Sequence, residues 1–218
     1  MTYAKISGSE RELPIGKILC IGRNYAEHIR ELGNDTPDTP IIFMKPATSV
    51  IGDAGTIVIP SYSKDCHHEV ELALLVGKKG KDIAQERALE HVAGYGVAID
   101  LTLRDIQGEL KKRGFPWDIA KGFDTACPLS TFVSADMIKN PQELRLRLWV
   151  NGELRQDGNT ALMIHSIPAI ISHFSSIFTL EPGDVILTGT PAGVGRLNTG
   201  DTVVAEITDV GRLRVNVQ

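Results

Sequence analysis

The sequence predicts a strand-rich α+β domain. Three observations carry this. Apolar runs are short and bounded by Gly, Pro, Asn or Asp, as in "KILCIG", "PIIFMKP", "GYGVAID" and "VILTGTP". Helical spacing is confined to a few scattered segments. Strands and helices do not alternate regularly, which argues against a βαβ repeat. With 218 residues and 42% hydrophobic side chains, the chain fits one large domain with a real core.

Taken in order, "KILCIG" is a strand ending at Gly22, and "RNYAEHIREL" a short helix stopped by Gly33. "NDTPDTP" reads as a mobile loop. "PIIFMKP" and "GTIVIP" are strands. "HHEVELALLVG", from His67, alternates as an extended chain does. It puts Val70, Leu72, Leu74 and Val76 on one face and Glu69, Glu71 and Ala73 on the other. "IAQERALEHV" is helical and ends near Gly94, and "GYGVAID" is a buried strand ending at Asp100. In "LTLRDIQGELKKRG", Leu103, Ile106 and Leu110 have helical spacing. "LRLRLWVNGELRQDG" is a hairpin turning at Asn151-Gly152. Its first strand points Leu144, Leu146, Leu148 and Val150 inward and Arg145, Arg147 and Trp149 outward, a half-exposed strand rather than a binding surface. "SIPAIISHFSSIF" is a helix with Ser166 as N-cap and Pro168 in its first turn. "EPGD" turns into the strand "VILTGTP", the Gly-rich "TPAGVG" follows, and "DTVVAEITDVGRLRVNV" closes as a hairpin.

Bulk properties exclude several classes. A net charge of −4 and no basic patch argue against nucleic acid. No apolar run approaches the roughly 20 residues of a membrane span, and "MTYAKISGSERELPI" has no apolar signal core. Cys20, Cys66 and Cys127 are odd in number, widely spaced and form no CxxC, which points to reduced thiols. A soluble cytoplasmic protein is expected.

The strongest chemical signal is Glu69 and Glu71, about 7 Å apart along one strand face, with Asp100 closing a later apolar strand. Adjacent carboxylates repel unless a cation or a shared proton joins them. Oxygen donors suit Mg²⁺, Mn²⁺ or Ca²⁺. The alternatives are a solvated strand face, or a two-His-one-carboxylate site using His67 and His68, which adjacent strand residues serve poorly. His28 and Glu31 share a helix face, where a carboxylate can orient an imidazole as general base; an ordinary surface pair fits as well. Lys121, among Ile119, Ala120, Gly122 and Phe123, can steady an oxyanion or a substrate carboxylate, or simply lie at the surface. "TGTPAGVG" can offer backbone N–H groups to an anion or be a plain turn, and it is no nucleotide loop.

Together, "GRNYAEHIRELG", "FMKP", "HHEVELALLVG", "GYGVAIDLTLRDIQ", "WDIAKGFDTACPLS", "VNGELRQDG" and "ILTGTPAGVG" occur in one order. The chain closely resembles the fumarylacetoacetate hydrolase superfamily, in its compact acylpyruvase-like branch, from about Lys17 to the C-terminus. The resemblance implies one catalytic domain over 1–218, with 1–16 as an N-terminal extension. It implies curled mixed β-sheets around a metal pocket with a short lid helix, usually in a homodimer. By the same resemblance, Glu69, Glu71 and Asp100 would hold Mg²⁺ or Mn²⁺. His28 and Glu31 would be the catalytic dyad, Lys121 would stabilise substrate charge, and Arg23, Gln107 and Thr190 would contact a bound 2-oxo acid. One departure stands out. Larger relatives use a further Asp ligand before the dyad, and "LCIGRNYAEH" has none, which leaves that position to water or substrate. The implied reaction is metal-dependent hydrolysis of the C3–C4 bond of an acylpyruvate, such as acetylpyruvate or fumarylpyruvate. Oxaloacetate decarboxylation or tautomerisation, and decarboxylation or isomerisation in aromatic breakdown, are the enzymatic alternatives. A metal-dependent keto-acid binder and a structural Ca²⁺ site are the non-enzymatic ones.

Overall fold

Every residue of the strand Val70–Val76 is buried, so both of its faces must be covered. In the computed structural model, which describes residues 2–10, 12–33, 35 and 39–218, this strand sits inside a six-stranded mixed sheet. The spatial order is Val133–Ser134, Val92–Ile99, Val70–Val76, Val185–Leu187, Ile18–Gly22 and Ile41–Lys45. Only Val185–Leu187 and Ile18–Gly22 run parallel. The expected alternation separates two cores. Leu72 and Leu74 join Leu19, Val97 and Leu148 on one side. Ala73 and Leu75 join Cys20, Leu129 and Phe132 on the other.

A five-stranded sheet covers the first side: Glu153–Asn159, Arg145–Val150, Thr202–Ile207, Gly211–Val217 and Thr56–Ile57. Its inward residues Leu146, Leu148, Val203 and Leu213 belong to the larger core. Asn151 and Gly152 both take positive φ (52° and 81°), the twist that a two-residue hairpin turn needs. On the second side, the hairpin Tyr3–Lys5 with Glu12–Pro14 buries Ala4 and Leu13. Four α-helices complete the described chain: α1 (Ala26–Glu31), α2 (Arg104–Arg113), α3 (Asp118–Lys121) and α4 (Ile167–Ile177). Ser166 Oγ caps α4 by accepting from the Ala169 N–H, and Gly114 ends α2 with φ 67°. The result is an α+β architecture with several mixed sheets and few helices.

Four expectations need correction or bounding. The strand from His67 is not continuous. Cys66–His68 leaves the main sheet to pair with Thr102–Leu103 and Gly195–Arg196. The break falls at Glu69, whose carbonyl accepts the last ladder bond, from the Asp100 N–H (2.8 Å). The segment read as ending near Gly94 is a 3₁₀ helix, Gln85–His91. Its surroundings pin both ends, through Ile83 N–H to Ser175 Oγ (2.8 Å) and Gly77 N–H to the His91 carbonyl (2.8 Å). The longer 3₁₀ rise suits that span. Gly94 lies inside the next strand because the chain passes too close for a side chain: a Cβ there would sit 2.6 Å from the Val133 oxygen. "GTIVIP" pairs only over Thr56–Ile57, since the Val58 N–H turns to Thr125 Oγ1 (3.0 Å). Of "NDTPDTP", Asn34, Thr36, Pro37 and Asp38 lie outside the described residues. The three cysteines are buried free thiols. No helix among the described residues is long and apolar enough to cross a membrane.

Candidate metal centre and catalytic pocket

The end of one β-ladder builds the acidic cluster. Val70 pairs with Ile99 and Glu71 with Ala98, and one step further Asp100 donates its N–H to the Glu69 carbonyl. Residues opposite each other in an antiparallel pair share a face, so Glu69, Glu71 and Asp100 converge, and the small Ala98 leaves room between them. One carboxylate oxygen from each lies within 4.8 Å of the others. Relative exposures of 4%, 2% and 1% exclude the solvated-face alternative.

Cations reach this cluster unequally. Lys121 Nζ donates to Glu69 Oε2 (3.0 Å) and Asp100 Oδ2 (2.6 Å). The Arg104 guanidinium bonds Glu69 Oε1, and Lys45 Nζ, fully buried, lies 2.8 Å from Asp100 Oδ1. Glu71 is served by a dipole, the Gly189 N–H, at 2.6 Å. The titration behaviour follows. Burial works to raise the Glu69 carboxyl, but Lys121 and then Arg104 outweigh it and hold the group well below its usual range. At Glu71, burial and then the Asp100 and Glu69 charges push the carboxyl well above it. Three converging hard oxygen donors, one of them without a cation of its own, fit a divalent cation.

The dyad stands beside this cluster. His28 Nδ1 is 3.3 Å from Glu31 Oε2, and Glu31 Oε1 accepts from the Gly193 N–H at 3.0 Å. The Gly-rich loop therefore does bring backbone N–H groups to carboxyl oxygens, and both carboxyls are the protein's own: Glu71 and Glu31. At Gly193 (φ 96°) a Cβ would lie 2.1 Å from the Arg155 oxygen, so only glycine passes there.

His28, Arg23, Gln107, Thr190, Lys121 and the three carboxylates line one cavity of about 290 Å³, and Glu31 stands behind His28. Arg23 turns the chain from strand to α1 at φ 59°. Gln107 Oε1 accepts from Arg104 Nη1 (2.9 Å). Phe43 and Trp117 form an apolar wall, their ring centroids 5.8 Å apart, with Lys121 Nζ 4.6 Å from the Phe43 ring centre. His67 and His68 stand outside the cluster: His67 Nε2 is 2.9 Å from Asp65 Oδ1, and His68 Nδ1 is 3.0 Å from Gln156 Oε1.

Three residues escaped the sequence reading. Arg104 precedes Gln107 by one helical turn on the cavity face, a spacing visible in "RDIQ". Lys45 finds its carbonyl partners, Leu101 and Lys121, 56 and 76 residues along the chain, which no local pattern signals. Gln156, with 0% exposure, accepts from the Val70 N–H (3.1 Å), between two of the carboxylates, and donates to Thr190 Oγ1 (2.8 Å) and the Pro191 carbonyl (2.9 Å). It ties the acidic strand to the Gly-rich loop.

Residues 17–218 match the family described as fumarylacetoacetate (FAA) hydrolase, C-terminal. Among curated proteins, the chain is 48% identical over 201 residues to mouse "Oxaloacetate tautomerase FAHD1, mitochondrial", covering 92% of this chain and 91% of that one. It is 49% identical over 195 residues to "Oxaloacetate tautomerase YcgM" of Escherichia coli K12, covering 89% of each. Among solved structures, the fumarylpyruvate hydrolase of Pseudomonas aeruginosa in complex with Mn²⁺ and pyruvate superimposes with a TM-score of 0.96 at 38% identity, over 99% of this chain and 95% of that one.

Proposed function

Because the chain belongs to the fumarylacetoacetate hydrolase family, we propose that it is a Mg²⁺- or Mn²⁺-dependent enzyme acting on small 2-oxo acids through their enol forms. The reaction assigned first is interconversion of keto and enol oxaloacetate, the activity named for the curated relatives. The observation that carries the reading is that the His28–Glu31 pair and the Glu69–Glu71–Asp100 triad open on one cavity. A base and a cation site then meet on one small substrate.

Glu69, Glu71 and Asp100 would hold the cation. Bound there, it supplies Lewis acidity to the carboxylate and 2-oxo oxygens of the substrate. His28, held in one orientation by Glu31, takes the proton from C3, the C2–C3 double bond forms, and the imidazolium returns that proton to the 2-oxo oxygen, which leaves His28 neutral again. The reverse sequence restores the ketone. Lys121, Arg23, Gln107 and Thr190 hold substrate oxygens in this reading, and the Phe43–Trp117 wall limits water.

Hydrolysis of acylpyruvates, expected first from the sequence, is the second reading, favoured by the structural match to a fumarylpyruvate hydrolase. Here His28 takes a proton from water, and the hydroxide adds to C4. Lys121 and Gln107 stabilise the C4 oxyanion, the C3–C4 bond breaks, and C3 is protonated to give pyruvate and a carboxylic acid. A homodimer, as the resemblance implies, is part of the proposal, and light scattering on the eluted protein tests it.

The deciding experiment follows the ultraviolet absorbance of enol oxaloacetate and, separately, of acetylpyruvate, with Mn²⁺ and with EDTA, and assays pyruvate at the end. Metal-dependent enol decay without pyruvate supports tautomerisation. Stoichiometric pyruvate from acetylpyruvate supports hydrolysis, and pyruvate from oxaloacetate marks decarboxylation. A rate equal in wild type, His28→Ala and the EDTA control sinks all three.

A further inference from the structure

Helix α2 turns one stripe of residues toward the cavity. Arg104, Gln107, Gly108 and Lys111 all line it, and offsets of three, four and seven residues mark a single helix face. Ile106 and Leu110, on another face, pack against the larger core. Gly108 stands mid-stripe, and mid-helix, without a side chain. Glycine inside a helix is disfavoured against alanine, so its presence asks for a reason. Packing supplies none. A Cβ at Gly108 meets no atom within 4 Å, whereas one at Gly94 would strike backbone at 2.6 Å. The backbone at Gly108 is ordinary α-helix, which every L residue adopts. What such a Cβ would enter is the open space of the pocket.

We propose that Gly108 is a specificity-determining residue: its bare backbone is the gap in the pocket wall that admits the part of the substrate beyond C3, and a side chain there shortens the acids accepted. This rests on the 2-oxo acid reading above, in which the carboxylate triad fixes the C1–C2 end. Substrates differing at that end are then untouched by residue 108, and those differing at the far end feel it in proportion to their length.

The test measures dissociation constants of pyruvate, acetylpyruvate and hexanoylpyruvate by calorimetry on the Mn²⁺-loaded protein, for wild type, Gly108→Ala and Gly108→Leu. Gly108→Ala is expected to melt at or above the wild-type temperature. In Gly108→Leu, pyruvate binding changes by less than about twofold, while hexanoylpyruvate weakens by at least about tenfold, with acetylpyruvate between them. Equal losses for all three acids, or no loss for the longest, overturn the proposal. Wild type that binds the series without hydrolysing either acylpyruvate, with the length-dependent loss present in Gly108→Leu, sinks the hydrolytic reading and leaves the role of Gly108 standing.

Discussion

Glutamine at position 31 would preserve shape and remove one acceptor. Glu31 uses both carboxylate oxygens, one toward His28 Nδ1 at 3.3 Å and one accepting from the Gly193 N–H at 3.0 Å. In Glu31→Gln the amide –NH₂ must face one of them. Toward Gly193 it meets another donor and unlatches α1 from the loop. Toward His28 it makes Nδ1 an acceptor, so the ring proton moves to Nε2 and the imidazole can no longer act as base there. The comparable Asp→Asn exchange in a serine protease triad costs about 10⁴ in rate. Positioned acid–base groups contribute about 10²–10⁴ in general. The Glu31 side chain keeps 32% of its surface in water, so solvent replaces part of what it does, and the lower end applies. The expected fall in kcat is about 100-fold, or about 2.7 kcal/mol of barrier. Glu31 touches none of the three carboxylates, so Mn²⁺ affinity should change by less than about twofold. Initial rates at saturating Mn²⁺, with free Mn²⁺ read by paramagnetic resonance, measure both. An unchanged kcat, or a loss of Mn²⁺ affinity by the same factor as the rate, refutes the division of labour between dyad and triad.

Glu71→Gln should leave the metal-free protein as stable as wild type or more so, because it replaces a carboxyl whose charged form is disfavoured by burial and by the neighbouring Asp100 and Glu69 charges. The same variant should lose the thermal stabilisation by Mn²⁺, about 2.7 kcal/mol at a hundredfold excess over Kd; a wild-type-sized Mn²⁺ shift would contradict the ligand assignment. Gln156→Leu strips partners from the Val70 N–H, Thr190 Oγ1, the Pro191 carbonyl and His68. At about 1 kcal/mol each, calorimetry should show melting lowered by roughly 10 °C, and a drop under about 2 °C would argue against the tie. Lys45→Met leaves Asp100 Oδ1 and the Leu101 carbonyl without their ammonium. Denaturant titration should record a loss of about 3–5 kcal/mol; an unchanged midpoint would mean that Lys121 alone balances Asp100.

The elements most legible in the sequence are those whose signal is local. Asn151-Gly152, Ser166 with Pro168, and the alternation through Val70–Val76 each carry their own stereochemistry, and each forms where expected. The acidic side chains are visible for the same reason: two glutamates two residues apart on an extended chain share a face. What stayed hidden depends on distant partners. The break at Glu69 arises because two neighbouring sheets compete for the chain, and Cys66–His68 reads in isolation as more of the same strand. Gly94 resembles a helix stop until Val133 is seen to pass over it. Lys45 resembles an ordinary residue after a strand, yet its ammonium is buried against Asp100 and the Leu101 carbonyl. The motif resemblance supplied Gln107 and Thr190, which no periodicity would have selected.

The Gly-rich loop serves two masters. Gly189 holds Glu71 and Gly193 holds Glu31, four residues apart on one short segment, itself anchored by Gln156. Mutation in this segment is therefore pleiotropic: an insertion or deletion between Thr188 and Gly193 displaces the carboxyl beside His28 and one of the three converging carboxyls together. Lineages that retune the chemistry of this pocket have little freedom here, and divergence should accumulate on α2 and the far wall, where a change in one side chain alters what enters the pocket without disturbing how it is held.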